Sequence, residues 1–387
     1  MVIEARSTQS SGRDGWRDPR TAFYPRLEAL RGIAALLVAL FHCGQAQWLD
    51  AAGHLQQFNL PQDKNGWLHD LSATLLRGLG NGVGAVVLFF AISGFVLSGS
   101  LSRSSPPHVA RSLKFFIARV FRIYPASVVT ILIFATLFFA NGAYLGSPEA
   151  YRPFALLRNL LLLDASINGV MWTLQIELLA VPLILLMFLG QKRWGAVVPI
   201  SALCVMVPLS FAQSWNHALG LANLGMIYAF IPGIIAFVAG QRLIDQWADR
   251  TPILFTIAVV AFLACRPLIG WFSTWTIFAE ALIAGVIVGF LAFGRLGQLG
   301  RVFDLGIVRF YGRISYSFFL LHPLTLLVIW KMPETLGAMI TWGIPKLVVA
   351  FGLFFVSVAV ITPLAWANYH YVERPGVITG RRLLKMI

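Results

Sequence analysis

The chain is short of charge, and acid is the scarcer sign: 16 Asp and Glu stand against 30 Lys and Arg, and charged residues make up 12% of 387. Hydrophobic residues make up 58%, which excludes an ordinary water-soluble domain of this size. Strand-period alternation is missing, which argues against a membrane barrel. The cysteines, Cys43, Cys204 and Cys265, lie far apart in or beside apolar runs. They form neither a disulfide framework nor a metal-ligand spacing. The chain has no internal repeat, P-loop, dinucleotide-binding fingerprint, G-x-S-x-G elbow or H-E-x-x-H motif. No cleavable leader is visible: residues 1–25 are polar and Arg-rich and enter apolar sequence without a small-residue cleavage site.

What is present is a succession of apolar runs long enough to cross a bilayer. They predict an all-α polytopic bundle of about ten spans, near 28–48, 79–100, 124–141, 170–190, 195–211, 219–240, 253–265, 272–293, 312–330 and 346–370. A basic N-terminal tail (1–25), one membrane domain (26–376) and a basic C-terminal tail (377–387) follow from the same reading. With both termini inside, the segments expected to lie outside carry only Lys64, Arg77, Arg152, Arg158, Arg266, Lys331 and Lys346 of the 30 basic residues. This asymmetry predicts an N-in, C-in orientation. It also accounts for the net charge of +14 through the lipid bilayer rather than through nucleic acid. The longest polar insert, 49–78, holds His54, Trp67 and His69 and reads as a lid or interfacial helix.

Polar side chains inside the apolar runs are costly, and they usually line a protein interior or a path. Arg31 and His42 are eleven residues apart. That is about 1100° of helix, so both point the same way, roughly 16.5 Å apart along the axis. The pattern suggests an anion held near one surface and proton chemistry deeper in. Arg119 and Arg122, three apart, share a helical face suited to phosphates; the same charge also satisfies the positive-inside rule. Pro125 is expected to open the third span. Glu177 lies inside the fourth, at a depth similar to His42, and the two would meet if their helices are neighbours. Trp172 suits an interface anchor. Gly80 and Gly84 read as helix-packing positions. His322 precedes Pro323, which frees the Phe319 carbonyl, so a structural histidine and a catalytic one both remain open. Glu280, a further intramembrane acid, has no assignable partner.

In this order, these residues resemble the membrane-bound acyltransferase-3 family. The resemblance rests on Arg31 and His42, and on Gly84, Phe89, Phe90, Ser93, Gly94 and Phe95. It continues through Arg119, Arg122, Ile123 and Pro125, then Trp172, Thr173, Leu174 and Glu177. Ser315, Tyr316, Phe319, Leu320 and His322 form the next block, and Glu373 with Pro375 the last. Phe319 stands where tyrosine is frequent. A soluble hydrolase-like domain of the sort many members carry is not expected from these residues.

The resemblance implies an integral-membrane enzyme that moves an acyl group, usually acetyl from cytoplasmic acetyl-CoA. The acceptor would be a hydroxyl of a cell-envelope glycan or a small molecule, and the setting a bacterial-like plasma membrane. His42 would be the general base, with Glu177 orienting it as a triad carboxylate does. Arg31, Arg119, Arg122, Ser93, Trp172, Tyr316 and His322 would bind substrate, and no metal is implied. An acyl-enzyme on Cys43 is the less favoured route, because Cys43 is rotated about 100° from His42. The rival reading is a transporter or exporter of a glycan precursor or metabolite. It lacks the inverted repeat and the paired broken helices common in secondary transporters.

Overall fold

A computed structural model describes residues 24–45, 78–102, 108–212, 223–270, 273–329 and 346–386, with isolated positions between them. Most of the expected N-terminal tail, the polar insert with His54, Trp67 and His69, and Lys64, Arg77, Arg103 and Lys331 lie outside the described residues.

No strand occurs among the described residues. In hydrocarbon the backbone has no water to bond, so an apolar chain closes its hydrogen bonds within helices. The order is α1 (Pro25–Gln45), α2 (Gly82–Ser102), α3 (His108–Asn141), α4 (Pro153–Leu160), α5 (Trp172–Trp194), α6 (Val197–Ser210) and α7 (Ile231–Asp245). It continues with α8 (Thr251–Ile269), α9 (Thr274–Phe293), α10 (Gly306–Leu321), α11 (Pro323–Ile329), α12 (Lys346–Asn368), a π-helical turn (Tyr369–Glu373) and α13 (Arg374–Leu383).

Eight helical stretches among the described residues are long and apolar enough to cross a membrane, against the ten expected. The other two expected spans fall short for identifiable reasons. Helix α6 has 14 residues, below the ~20 a bilayer core asks for. The ninth run is broken at His322–Pro323 into α10 and α11, because proline cannot donate to the preceding turn. Pro125 does not open a helix. It lies inside α3, which begins at His108, so Arg119 and Arg122 sit on a continuous helix rather than in a loop.

Helix α1 packs against α2, α10 and α12. At the crossing with α10 the two backbones touch. A Cβ added to Gly32 would lie 2.5 Å from the Gly312 nitrogen, and one added to Gly312 would lie 2.5 Å from the Glu28 carbonyl oxygen. Ten residues further along each helix stand His42 and His322, which are also in contact. The helices therefore run parallel from a common anchor, about 15 Å below the histidines. Helices α2 and α7 meet as closely: a Cβ on Gly94 would strike the Phe230 carbonyl, and one on Gly233 the Ala91 carbonyl. Of the expected packing pair, Gly84 lies against the Asn81 side chain instead, and its N–H donates to Asn81 Oδ1 at 2.8 Å.

Two polar fastenings hold the bundle. Glu280 finds its partner in Arg266, at 2.8 Å, with both side chains buried. Asn81 donates to Glu280 Oε1 at 2.6 Å, and Asn81 Oδ1 accepts from Arg266 Nε. Arg266 is thus an internal partner rather than an outer-loop charge. At the Arg31 end, Arg26 and Arg309 converge on Asp304, at 2.8 and 2.9 Å. The hydrogen bonds from Arg26, before those from Arg309, hold the Asp304 carboxyl below the usual carboxylate range. Its contribution is present near neutral pH and fades as acid protonates it.

Candidate functional site

Two adjoining cavities occupy the bundle. The first, of about 370 Å³, is walled by α1, α2, α3, α5, α10 and α13. Arg31, Arg119, Arg122 and Arg381 face Glu28 and Glu177 across it, an excess of cations. Arg119 Nη1 lies 3.7 Å from Glu177 Oε1. The Arg119 Nε–H is buried with no hydrogen-bond acceptor among the described residues, and such a donor invites an anion.

Arg122 is held more firmly. Its Nη1 lies 3.1 Å from Glu373 Oε1. Ser317 donates to Glu373 Oε2 at 2.8 Å, and Asn368 donates to Ser317 Oγ at 3.1 Å. The guanidinium also lies over the Tyr316 ring, 5.7 Å from its centroid. The Tyr316 hydroxyl donates to the Ile123 carbonyl at 2.7 Å, so this tyrosine braces Arg122 and its hydroxyl is engaged. Glu373 reaches this position because the helix continues unbroken from α12 through the π-helical turn into α13, which lies along α3 with Gly376 against Pro125 and Gly380 against Phe121. The same continuation places Arg381 in the wall.

The second cavity, of about 330 Å³, contains His42 and Trp172. Among its described walls are Phe41, Asn168 and Leu326, and no Asp, Glu, Lys or Arg. The two imidazoles meet with His42 Nδ1 2.9 Å from His322 Nε2. His322 Nδ1 lies 2.7 Å from the Phe319 carbonyl oxygen. A carbonyl only accepts, so His322 Nδ1 carries hydrogen. With neutral rings His322 Nε2 then accepts, His42 Nδ1 donates, and His42 Nε2 keeps a lone pair. The carbonyl freed by Pro323 therefore sets the tautomer of both rings and leaves one basic nitrogen on the ring that lines the cavity.

The expected site residues are brought together in two groups. Arg31, Ser93, Arg119, Arg122, Glu177 and Tyr316 line the first cavity; His42 and Trp172 line the second. Arg31 and His42 share a stripe of α1 but end in different chambers. The expected meeting of Glu177 with His42 does not occur. The carboxylate lies beside Arg119, and the imidazole is paired with His322 instead. Equal depth in two helices does not make them neighbours, and α1 is flanked by α2, α10 and α12. His322 is a partner of His42, buried to 1% exposure, and lines neither cavity. Cys43, also 1% exposed, lies in the core. Sequence reasoning missed Arg381 and the hold of Glu373 on Arg122; Glu373 stood in a visible block, but its target did not.

No solved structure matches the chain significantly. Nodulation protein 10 of Rhizobium leguminosarum bv. viciae is 28% identical over 208 residues, covering 46% of this chain and 55% of that protein. The chain thus spans about half the length of this curated relative. The family model described as an acyltransferase domain matches residues 24–367, which takes in the histidine pair, the second cavity and the first cavity except its wall from Val377 onward. The chain belongs to the acyltransferase-3 family.

Proposed function

We propose that the chain transfers an acyl group, acetyl in the simplest case, from acyl-CoA to a hydroxyl of a carbohydrate or small-molecule acceptor. One observation carries this reading. A cavity rich in arginine and a cavity holding a relayed histidine share the walls Val86, Thr173 and Phe319. The phosphates of CoA suit the four guanidiniums and the unpartnered Arg119 Nε–H. The thin, uncharged pantetheine arm can then lead the thioester toward His42. The second cavity, with no full charge in its described walls, suits a neutral hydroxyl compound, and Trp172 offers it an aromatic face.

In the proposed step the acceptor oxygen attacks the thioester carbonyl carbon. The C–S bond breaks, and His42 Nε2 takes the hydroxyl proton and delivers it to the departing sulfur. His322 fixes the ring's orientation, the position a carboxylate holds in a serine-protease triad. The basic segments gathered on the N-terminal side support a reading in which acyl-CoA is taken from the cytoplasm and the chain lies in a bacterial-like plasma membrane. The test pairs radiolabelled acetyl-CoA and purified full-length chain with mass spectrometry of envelope glycans from cells with and without it. A gain of one acyl unit on a defined sugar supports the proposal. No transfer from acetyl-CoA in either assay overturns it.

Three variants probe the chambers. Arg119→Ala removes a charged hydrogen bond and is expected to raise the KM for acetyl-CoA roughly tenfold, about 1.4 kcal/mol, with little change in kcat. Glu177→Gln is expected to act on the same constant. A fall in kcat at unchanged KM would reassign Glu177 to the imidazole. Gly312→Ala tests the helix crossing itself. Its methyl meets the Glu28 carbonyl, and such overpacking costs about 1–3 kcal/mol. Glu28 and Arg31 line the donor cavity, so donor KM is expected to rise, and a shift carried along both helices to the histidine pair is expected to lower kcat as well. Wild-type values of both constants would detach the crossing from the site.

A further inference from the structure

Val86, Thr173 and Phe319 line both cavities, so they form the neck between the arginines and His42. This neck is apolar. Its one hydroxyl is occupied, since Thr173 Oγ1 donates to the Val170 carbonyl at 2.9 Å. Phe319 is held by two ring contacts. Its ring packs edge-on against Phe89 with centroids 5.6 Å apart, lies 5.8 Å from the His322 ring, and is 6% exposed. Its carbonyl holds His322 Nδ1–H. One residue therefore narrows the passage with its side chain and sets the histidine tautomer with its backbone.

We propose that this neck selects the acyl group, admitting short uncharged chains and setting the length limit with the Phe319 ring. The inference rests on the function proposed above and names the donor class for the same site. The argument is one of position. The acceptor oxygen is activated at His42, the CoA phosphates are held among the arginines, and the thioester carbon must come between them. During transfer the acyl substituent lies in or across the neck. A bond forms from the acceptor oxygen to that carbon, the C–S bond breaks, and the hydroxyl proton passes through His42 to sulfur. None of this frees space for a longer chain. One methylene too many in a hydrophobic pocket typically costs roughly 10–200-fold in specificity. A terminal carboxylate, as in succinyl-CoA, would lose its hydration against valine, phenylalanine and an occupied threonine. The compensating arginines lie in the other chamber.

The test uses purified full-length chain in detergent with acetyl-, propionyl-, butyryl-, hexanoyl- and succinyl-CoA. Methyl β-glucoside is supplied as hydroxyl acceptor, water is present as the fallback, and free CoA thiol is the readout. Wild type is expected to favour acetyl over butyryl by at least about tenfold in kcat/KM, with succinyl near background. Phe319→Ala is expected to reduce the acetyl-to-butyryl ratio at least about tenfold, with Phe319→Leu between. Val86→Ala widens the same neck from α2 and serves if the Phe319 variants do not fold. An unchanged ratio in variants that still release CoA from acetyl-CoA overturns the neck and leaves the proposed function standing. So does a wild-type chain that uses succinyl- or hexanoyl-CoA as readily as acetyl-CoA. Release from none of the thioesters by wild type overturns the proposed function, and this inference with it.

Discussion

Alanine at position 42 is expected to lower kcat by about 10²–10⁴-fold, the usual worth of a positioned general base, while acyl-CoA still binds. The split follows from the two chambers. His42 lies in one wall, and the groups suited to phosphates lie in the other. Thermal stabilisation of the variant by CoA should therefore match wild type. Because His42 and His322 act through one hydrogen bond, their losses should not add. A His42→Ala/His322→Ala double variant is expected to be no slower than His42→Ala alone. Turnover within a few-fold of wild type in His42→Ala would remove the imidazole from the reaction.

The largest loss of stability is expected from Arg266→Met. It leaves Glu280, fully buried, without its guanidinium. Removing one partner of a buried ion pair costs about 3–5 kcal/mol, because the charge that remains is uncompensated. Asn81 still donates to Glu280 Oε1, which softens the loss without cancelling it. A matched apolar pair, Arg266→Met with Glu280→Leu, is expected to regain much of the stability. Melting temperatures in detergent decide the matter. A single variant as stable as wild type would show that the pair does not hold α8 to α9.

The apolar runs marked the helices, and the three-residue spacing put Arg119 and Arg122 on one face. The free carbonyl at Phe319, deduced from Pro323 alone, is where His322 bonds. Each of these is a property of one helix. Lateral adjacency is a property of the bundle. Depth along an axis could be read for His42 and Glu177, but which helices touch is set by close backbone crossings such as Gly32 with Gly312. One glycine does not name its partner across hundreds of residues. Arg266 reads as a loop charge because it ends an apolar run, and only the packing of α8 on α9 turns it inward. Glu373 reads as part of a polar exit, and only the packing of the helix's last turns along α3 brings it to Arg122.

The apolar lining of the Val86–Thr173–Phe319 constriction has a bearing on the cell's energy supply. A passage open to water at both ends would short-circuit the electrochemical gradient, since protons travel along files of hydrogen-bonded groups. A valine, a benzyl ring and a threonine already bonded to Val170 offer no such file. Polar chambers can then lie on either side of it while the bilayer stays insulating.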